Sequence, residues 1–224
     1  VRTHDVFVTG GTGYVGQRLV PALLRRGHRV RVLARPASAS RVTPGAIAVI
    51  GNALDASSYA HTLIPGETLL HLVGTPHPSP VKAAQFRRVD LPSIEAAADA
   101  AQRAAIGHLV YVSVAHPAPV MKAYIDVRIT GETLLANSRL TATILRPWYV
   151  LGPGHWWPAM LLPIYAAATL VPSMREGAQR LGLVTIRQMV DALVSAVEHP
   201  PASRTQRIVE VPEIRRGLAA MMTV

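Results

Sequence analysis

Residues 5–16, Asp5-Val6-Phe7-Val8-Thr9-Gly10-Gly11-Thr12-Gly13-Tyr14-Val15-Gly16, constrain this chain more than any other stretch. An apolar, β-prone run ends at Thr9, a glycine-rich turn follows, and Tyr14 to Arg26 reads as helix. A strand that enters a helix this way leaves the first N–H groups of the helix without intrahelical acceptors, and the helix dipole adds positive charge at the same place. The result is a site for phosphate. Gly10 is expected to permit the tight turn, Gly13 to let the backbone approach a diphosphate where a Cβ would intrude, and Gly16 to let the helix lie close to the strand. The spacing is Gly10-x-x-Gly13-x-x-Gly16 rather than G-x-G-x-x-G. Its weight comes from the strand before it, the helix after it and a second strand at Arg29–Ala34. Thr12, Tyr14 and Val15 share the turn and are expected to contact the same dinucleotide.

The tip of the second strand bears on which dinucleotide. A carboxylate there would accept from a ribose 2′-hydroxyl, whereas this chain has Ala34 followed by Arg35. A guanidinium can fork onto a 2′-phosphate that a carboxylate would repel, so NADP(H) is preferred, with NAD(H) the alternative. Arg41 stands nearby in sequence to assist. A third short buried strand is expected at Ala46–Ile50, followed by Asn52 and Ala53 beside the adenine, with Asp55 capping a short helix. A fourth strand is expected at Thr68–Val73. Ligands of open parallel sheets lie outside the carboxyl ends of the strands, which makes Val73, Gly74 and Thr75 cofactor-lining candidates.

Further along, Val81–Arg88 and Asp90–Ala105 read as helices, with Asp90 an N-cap, Pro92 in the first turn and Gly107 the stop. His108–Ser113 and Thr141–Leu145 read as strands around a helix at Tyr124–Leu135. A capping box at Thr185-Ile186-Arg187-Gln188 opens a helix to Val197, and Arg207–Val211 is a late strand. The alternation predicts an α/β fold: a doubly wound, Rossmann-like parallel sheet of about seven strands with helices on both faces. Residues 1–151 form the dinucleotide-binding domain in this reading, and residues 152–224 a small lid with a final helix and strand that complete it.

Composition narrows the function. With no cysteine, thiolate metal sites and disulfides are excluded, and no histidines stand at metal-ligand spacing; we expect no metal. The net charge of +10 comes from 23 Lys+Arg against 13 Asp+Glu, but the arginines are dispersed and no basic run alternates with aromatics, so nucleic acid is not the expected partner. The start of the chain lacks the pattern of a secretion signal, and a cytoplasmic location is the expectation.

Ser113 ends the fifth strand, and Tyr124 and Arg128 lie four apart on one face of the next helix. With the glycine turn, Val110-Tyr111-Val112-Ser113, Glu132, and Leu145-Arg146-Pro147-Trp148-Tyr149-Val150-Leu151-Gly152-Pro153-Gly154, the chain resembles the short-chain dehydrogenase/reductase superfamily over nearly its whole length. The last of these stretches is similar to the extended and atypical branches, which include nucleotide-sugar epimerases and NmrA-like redox-sensing proteins. The resemblance implies hydride transfer at the nicotinamide, with Tyr124 moving the proton, Ser113 orienting the substrate oxygen, and Pro147 and Trp148 beside the nicotinamide. A lysine normally lowers the tyrosine pKa and holds the nicotinamide ribose; Arg128 stands in its place, keeping the charge in a bulkier, planar form. Tyr124 and Arg128 are thus candidates for both catalysis and cofactor binding, and Arg146 for a structural or lid-contacting role.

The apolar stretch 156–171 is too short for a bilayer span and is interrupted by Pro158 and Pro163. It is expected to cover a small, mainly apolar substrate, or to touch a membrane surface or partner protein; an oligomer is compatible with it. Three functions follow: an NADP(H)-dependent oxidoreductase acting on a carbonyl or alcohol, a catalytically silent dinucleotide-binding regulator or assembly protein, and a nucleotide-sugar epimerase or dehydratase. The short stretch after the sixth strand weighs against the last.

Overall fold

The structure, a computed structural model, describes residues 2–118, 120–154, 160, 177 and 180–217. The strands are β1 (Asp5–Thr9), β2 (Arg29–Ala34), β3 (Ile47–Ile50), β4 (Thr68–His71), β5 (His108–Val112), β6 (Ala142–Arg146), β7 (Tyr149–Leu151), β8 (Leu183–Thr185) and β9 (Gln206–Glu210). Among the described residues the α-helices are α1 (Gly16–Arg25), α2 (Ala83–Gln85), α3 (Leu91–Arg103), α4 (Lys122–Asn137), α5 (Ile186–Glu198) and α6 (Val211–Arg216). Seven strands form one sheet in the order β3-β2-β1-β4-β5-β6-β9, and every pairing is parallel. The order reverses at β1, the switch point where ligands of such sheets bind. β7 and β8, which the sequence reading did not anticipate, pair parallel to each other in a separate ribbon.

Alternation along the central strands builds two cores. Val6 and Val8 of β1, Leu70 of β4 and Val110 of β5 enter one core with Leu19 and Leu23 of α1 and Met189 and Leu193 of α5. Phe7, Leu69, Leu109 and Tyr111 enter the other with Ile94, Ala97 and Ala101 of α3 and Leu135 of α4. Both faces of the sheet are therefore covered, which is why its central strands read as continuous apolar runs. Full burial of each Leu, Val or Phe stabilises by roughly 1.5–3 kcal/mol.

Several local expectations need correction. β3 is an edge strand rather than a buried one, with Ile47 and Ile50 more than half exposed. Helix α1 starts at Gly16, since Tyr14 still belongs to the turn, and β4 ends at His71, before Val73. The helix stop expected of Gly107 falls to Ala105, which takes a left-handed conformation with φ of 51°. Asp90 is not a cap: it has helical φ and ψ at the end of a π-helical turn, Phe86–Asp90, that runs into α3. Asp55 does cap its short helix, accepting from the Ser57 N–H, and Thr185 and Gln188 form both halves of the expected capping box.

Candidate dinucleotide and active site

The glycine turn is built by backbone against backbone. Gly10 has φ of +76°, and a Cβ on it would stand 2.8 Å from the Leu72 carbonyl carbon, where β1 and β4 leave the sheet side by side. A Cβ on Gly16 would stand 2.5 Å from Gly11 Cα, so Gly16 lets the helix close on the turn itself. A Cβ on Gly13 would meet only the Gly10 carbonyl oxygen, at 3.2 Å. The Gly13 N–H is used internally, donating to that oxygen at 3.0 Å, while among the described residues the N–H groups of Thr12, Val15 and Gly16 find no acceptor. Unpartnered amides at the N-terminus of a helix, with room at Gly13, fit a diphosphate. The Tyr14 ring lies under the Arg18 guanidinium at 4.1 Å, and its hydroxyl rests against Gly152 after β7.

On the β2–β3 side, Arg35 is exposed at the tip of β2 with no side-chain partner among the described residues, and Arg41 is exposed at the end of the following 3-10 turn. Asn52 Oδ1 accepts from the Leu54 N–H at 3.1 Å, fixing the loop that carries Ala53.

On the β4–β5 side, the predicted residues converge on a residue the sequence reading had placed as a cap. The Asp90 carboxylate, buried, accepts from Thr75 Oγ1 at 2.6 Å, from the Thr75 N–H at 3.1 Å and from Arg128 Nη2 at 2.6 Å. Arg128 Nη1 donates to the Val112 carbonyl at 2.9 Å, and its Nη2 packs where a Cβ on Gly74 would stand. The guanidinium lies 5.0 Å from the Tyr124 ring and 5.7 Å from Tyr111. Burial opposes charge on Arg128, but Tyr124, Tyr111 and Asp90 outweigh it and hold its pKa above the ordinary arginine value. Tyr124 is half-buried, with its ring 5.0 Å from that of Phe86. Gly74, Thr75, Tyr124 and Arg128 are thus brought together.

Ser113 is turned elsewhere. Its buried hydroxyl donates to Glu132 Oε1 at 2.5 Å, and Glu132 also holds Arg146, which reaches Glu210 at 2.8 Å. This network ties α4 to the ends of β5, β6 and β9, and it gives Arg146 a structural role. Beside it, the Ala115 N–H donates to the Pro147 carbonyl at 3.0 Å, and Trp148 packs against the first core with its ring 5.4 Å from Tyr149.

A second polar chain crosses the sheet. Ser93 Oγ donates its one hydrogen to the Asp90 carbonyl at 2.8 Å, so at its 3.2 Å contact with His71 Nε2 it must accept. His71 therefore carries its proton on Nε2, and Nδ1 accepts from Thr9 Oγ1 at 2.8 Å. Burial, with the Arg128 charge, lowers the His71 pKa to about 3, so the ring is neutral. The chain joins Thr9, at the foot of the glycine turn, to Asp90 and Arg128. A histidine inside the apolar run Leu69-Leu70-His71-Leu72-Val73 was the available signal, because a buried polar group must find partners.

A polar cavity of about 330 Å³ opens at the opposite end of the sheet, between His4, Asp5, Glu67 and His108. That is the amino end of the strands, the wrong end for a ligand of a parallel sheet. Among the described residues no group of histidines and carboxylates is placed to hold a metal, and no helix is long and apolar enough to cross a membrane. The stretch 156–171, apart from the exposed Met160, lies outside the described residues, and so does the lid expected there.

A doubly wound parallel sheet with open turn amides at its reversal point defines a dinucleotide-binding α/β protein. The NAD(P)H-binding family matches residues 10–152, more than half of the chain, and the chain belongs to it. A ceramide reductase from Caulobacter vibrioides (strain NA1000 / CB15N) is 27% identical over 216 residues, covering 94% of this chain and 65% of that protein. A 3-diazoavenalumate denitrifying reductase from Streptomyces sp is 30% identical over 222 residues, covering 86% of this chain and 72% of that protein. The chain thus spans just under two thirds of the length of the ceramide reductase. A short-chain dehydrogenase/reductase superfamily structure from Agrobacterium tumefaciens with bound NAD shares the fold, with a TM-score of 0.66 at 19% identity over 92% of this chain and 77% of that one. The short-chain dehydrogenase/reductase resemblance and the Rossmann-like fold are borne out.

Proposed function

We propose that this chain is an oxidoreductase that uses NADP(H) in preference to NAD(H) to reduce, or in reverse to form, a carbonyl on a small, mainly apolar molecule. The observation that carries this reading is the Tyr124–Arg128 pair at the carboxyl ends of β4 and β5, at the same end of the sheet as the open turn amides. The bound cofactor supplies or accepts the hydride. The chain's own residues do the rest. The amides of Thr12, Val15 and Gly16 hold the diphosphate, with Gly13 leaving room for it. Arg35, exposed and without a side-chain partner among the described residues, meets the 2′-phosphate, and Asn52 and Ala53 border the adenine. Val73, Gly74 and Thr75 line the middle of the cofactor, and Pro147 and Trp148 its far end. Tyr124 hands a proton to the substrate oxygen or takes it back. Ser113 acts from behind, holding the end of β5 through Glu132.

The two relatives described above are reductases, which favours the reducing direction, and the ceramide reductase suits an apolar substrate. The test is NADPH consumption against a panel of apolar ketones and aldehydes. The parent turns over at least one of them, and Tyr124→Phe lowers kcat by about 100-fold while NADPH binding stays intact. Full turnover by Tyr124→Phe removes Tyr124 from the mechanism. A second reading, a dinucleotide-binding regulator without turnover, is favoured by the capture of both Arg128 amino groups by Asp90 and Val112. It predicts NADPH binding with no consumption across the panel.

A further inference from the structure

We propose that Asp90 is the positioning residue for the nicotinamide half of the cofactor, clamping the loop after β4 and Arg128 into one fixed unit. The inference rests on the dinucleotide-binding reading above. Asp90 is 1% exposed, and its two oxygens divide between two elements: Oδ1 takes Arg128 Nη2, and Oδ2 takes the Thr75 hydroxyl. The Thr75 N–H reaches both oxygens, at 3.3 and 3.1 Å. Only a carboxylate accepts on both sides at once. An asparagine of the same shape would turn a donor toward either Thr75 or Arg128.

The π-helical turn sets this residue apart from an ordinary helix start. The turn closes one residue late, at Asp90, and α3 follows from Leu91 without a break. The Asp90 carbonyl is held as well, by the Ser93 hydroxyl at the end of the chain through His71 to Thr9. Asp90 is thereby tied to the foot of the glycine turn by its backbone and to the loop after β4 by its side chain.

Topology says which half of a dinucleotide this governs. A dinucleotide held by the glycine turn would have its diphosphate at β1 and its adenosine side toward β2 and β3, where Arg35 stands. Its other half would lie toward β4 and β5, where Gly74, Thr75, Arg128 and Tyr124 meet. Asp90 also neutralises Arg128, so Tyr124 faces a closed ion pair and not a bare cation.

The experiment compares a whole reduced dinucleotide with its adenosine half. Whichever of NADPH and NADH the parent binds is titrated by its fluorescence, and 2′,5′-ADP or ADP respectively is titrated by competition. Asp90→Asn is expected to weaken the dinucleotide by about tenfold or more and the adenosine fragment by less than about twofold. Equal weakening of both ligands, a greater loss for the fragment, or no loss for either overturns the proposal, because a merely structural carboxylate loosens the whole site or none of it. If Asp90→Asn shows no cooperative melting, Thr75→Val serves instead: it removes one hydroxyl and leaves the ion pair. It is expected to weaken the dinucleotide about three- to fivefold with the fragment unchanged, and any other pattern overturns the proposal. A parent that binds neither whole dinucleotide contradicts the cofactor reading itself and is recognised before any variant is made.

Discussion

Two alanines placed three residues apart in the glycine turn separate stability from binding. Neither Gly13 nor Gly16 has a positive φ, so each substitution is a question of space alone. At Gly16 the new Cβ would stand 2.5 Å from Gly11 Cα and O and 2.6 Å from Gly10 O, about 0.9 Å inside the 3.4 Å of ordinary contact. All three neighbours are backbone, so no rotamer relieves them and the turn itself must move. Overpacking of this kind costs about 1–3 kcal/mol. For a chain of this size, 2 kcal/mol lowers Tm by about 4–8 °C. At Gly13 the Cβ has one close neighbour, Gly10 O at 3.2 Å, and needs only about 0.2 Å of give. The folded state should lose less than about 0.5 kcal/mol. The methyl would instead stand among the open amides and cost a bound diphosphate at least one charge-assisted hydrogen bond, about 1.5–3 kcal/mol, which is about 10- to 100-fold in Kd. Scanning calorimetry and NADPH fluorescence titration read the two effects. Gly16→Ala should melt early, while Gly13→Ala should melt with the parent and bind poorly. Parent-like NADPH affinity in a well-folded Gly13→Ala protein refutes the reasoning.

Arg35→Ala should weaken NADPH by about tenfold, an exposed guanidinium–phosphate fork being worth less than a buried one, and leave NADH nearly unchanged; equal losses contradict the 2′-phosphate assignment. Stability should fall on mild acidification. Burial lowers His71 to about 3 and His108 to about 4, so below about pH 6.5 the unfolded chain takes protons that the folded chain refuses. Each histidine then removes up to about 1.4 kcal/mol per pH unit, about 3 kcal/mol for the pair between pH 6.5 and 5. Urea unfolding at pH 7, 6 and 5 measures it, and a flat profile contradicts the burial of both rings in neutral form. Replacing Arg128 by Lys, which can still pair with Asp90, should preserve NADPH binding to within about threefold; loss of all binding would show that the guanidinium's second contact, with Val112, is indispensable.

Much of the fold was readable because its causes are local. The β1–turn–α1 unit is announced by glycines whose absent Cβ atoms are needed within a few residues, and the Thr185 capping box is complete within four. The errors lie where the cause is distant. Ile47-Ala48-Val49-Ile50 looks like a buried strand, yet whether a strand has one neighbour or two depends on sheet order, and this one lies at the edge. Asp90 before Leu91-Pro92 looks like a cap; its partners are Thr75, fifteen residues back, and Arg128, thirty-eight residues on. Ser113 falls where a substrate-facing hydroxyl was expected, but Glu132, on the same helix as Tyr124, draws it inward. The meeting of Gly74, Thr75, Tyr124 and Arg128 around Asp90, and the inward turn of Ser113, are directions that no spacing in the sequence announces.

The central claim is that the turn after β1 holds the diphosphate of a nicotinamide dinucleotide. Titration of the purified chain with NADPH and NADH, each followed by its own fluorescence, tests it most directly. The account predicts saturable, one-to-one binding of at least one of them, tighter for NADPH. The absence of saturable binding for either would contradict it.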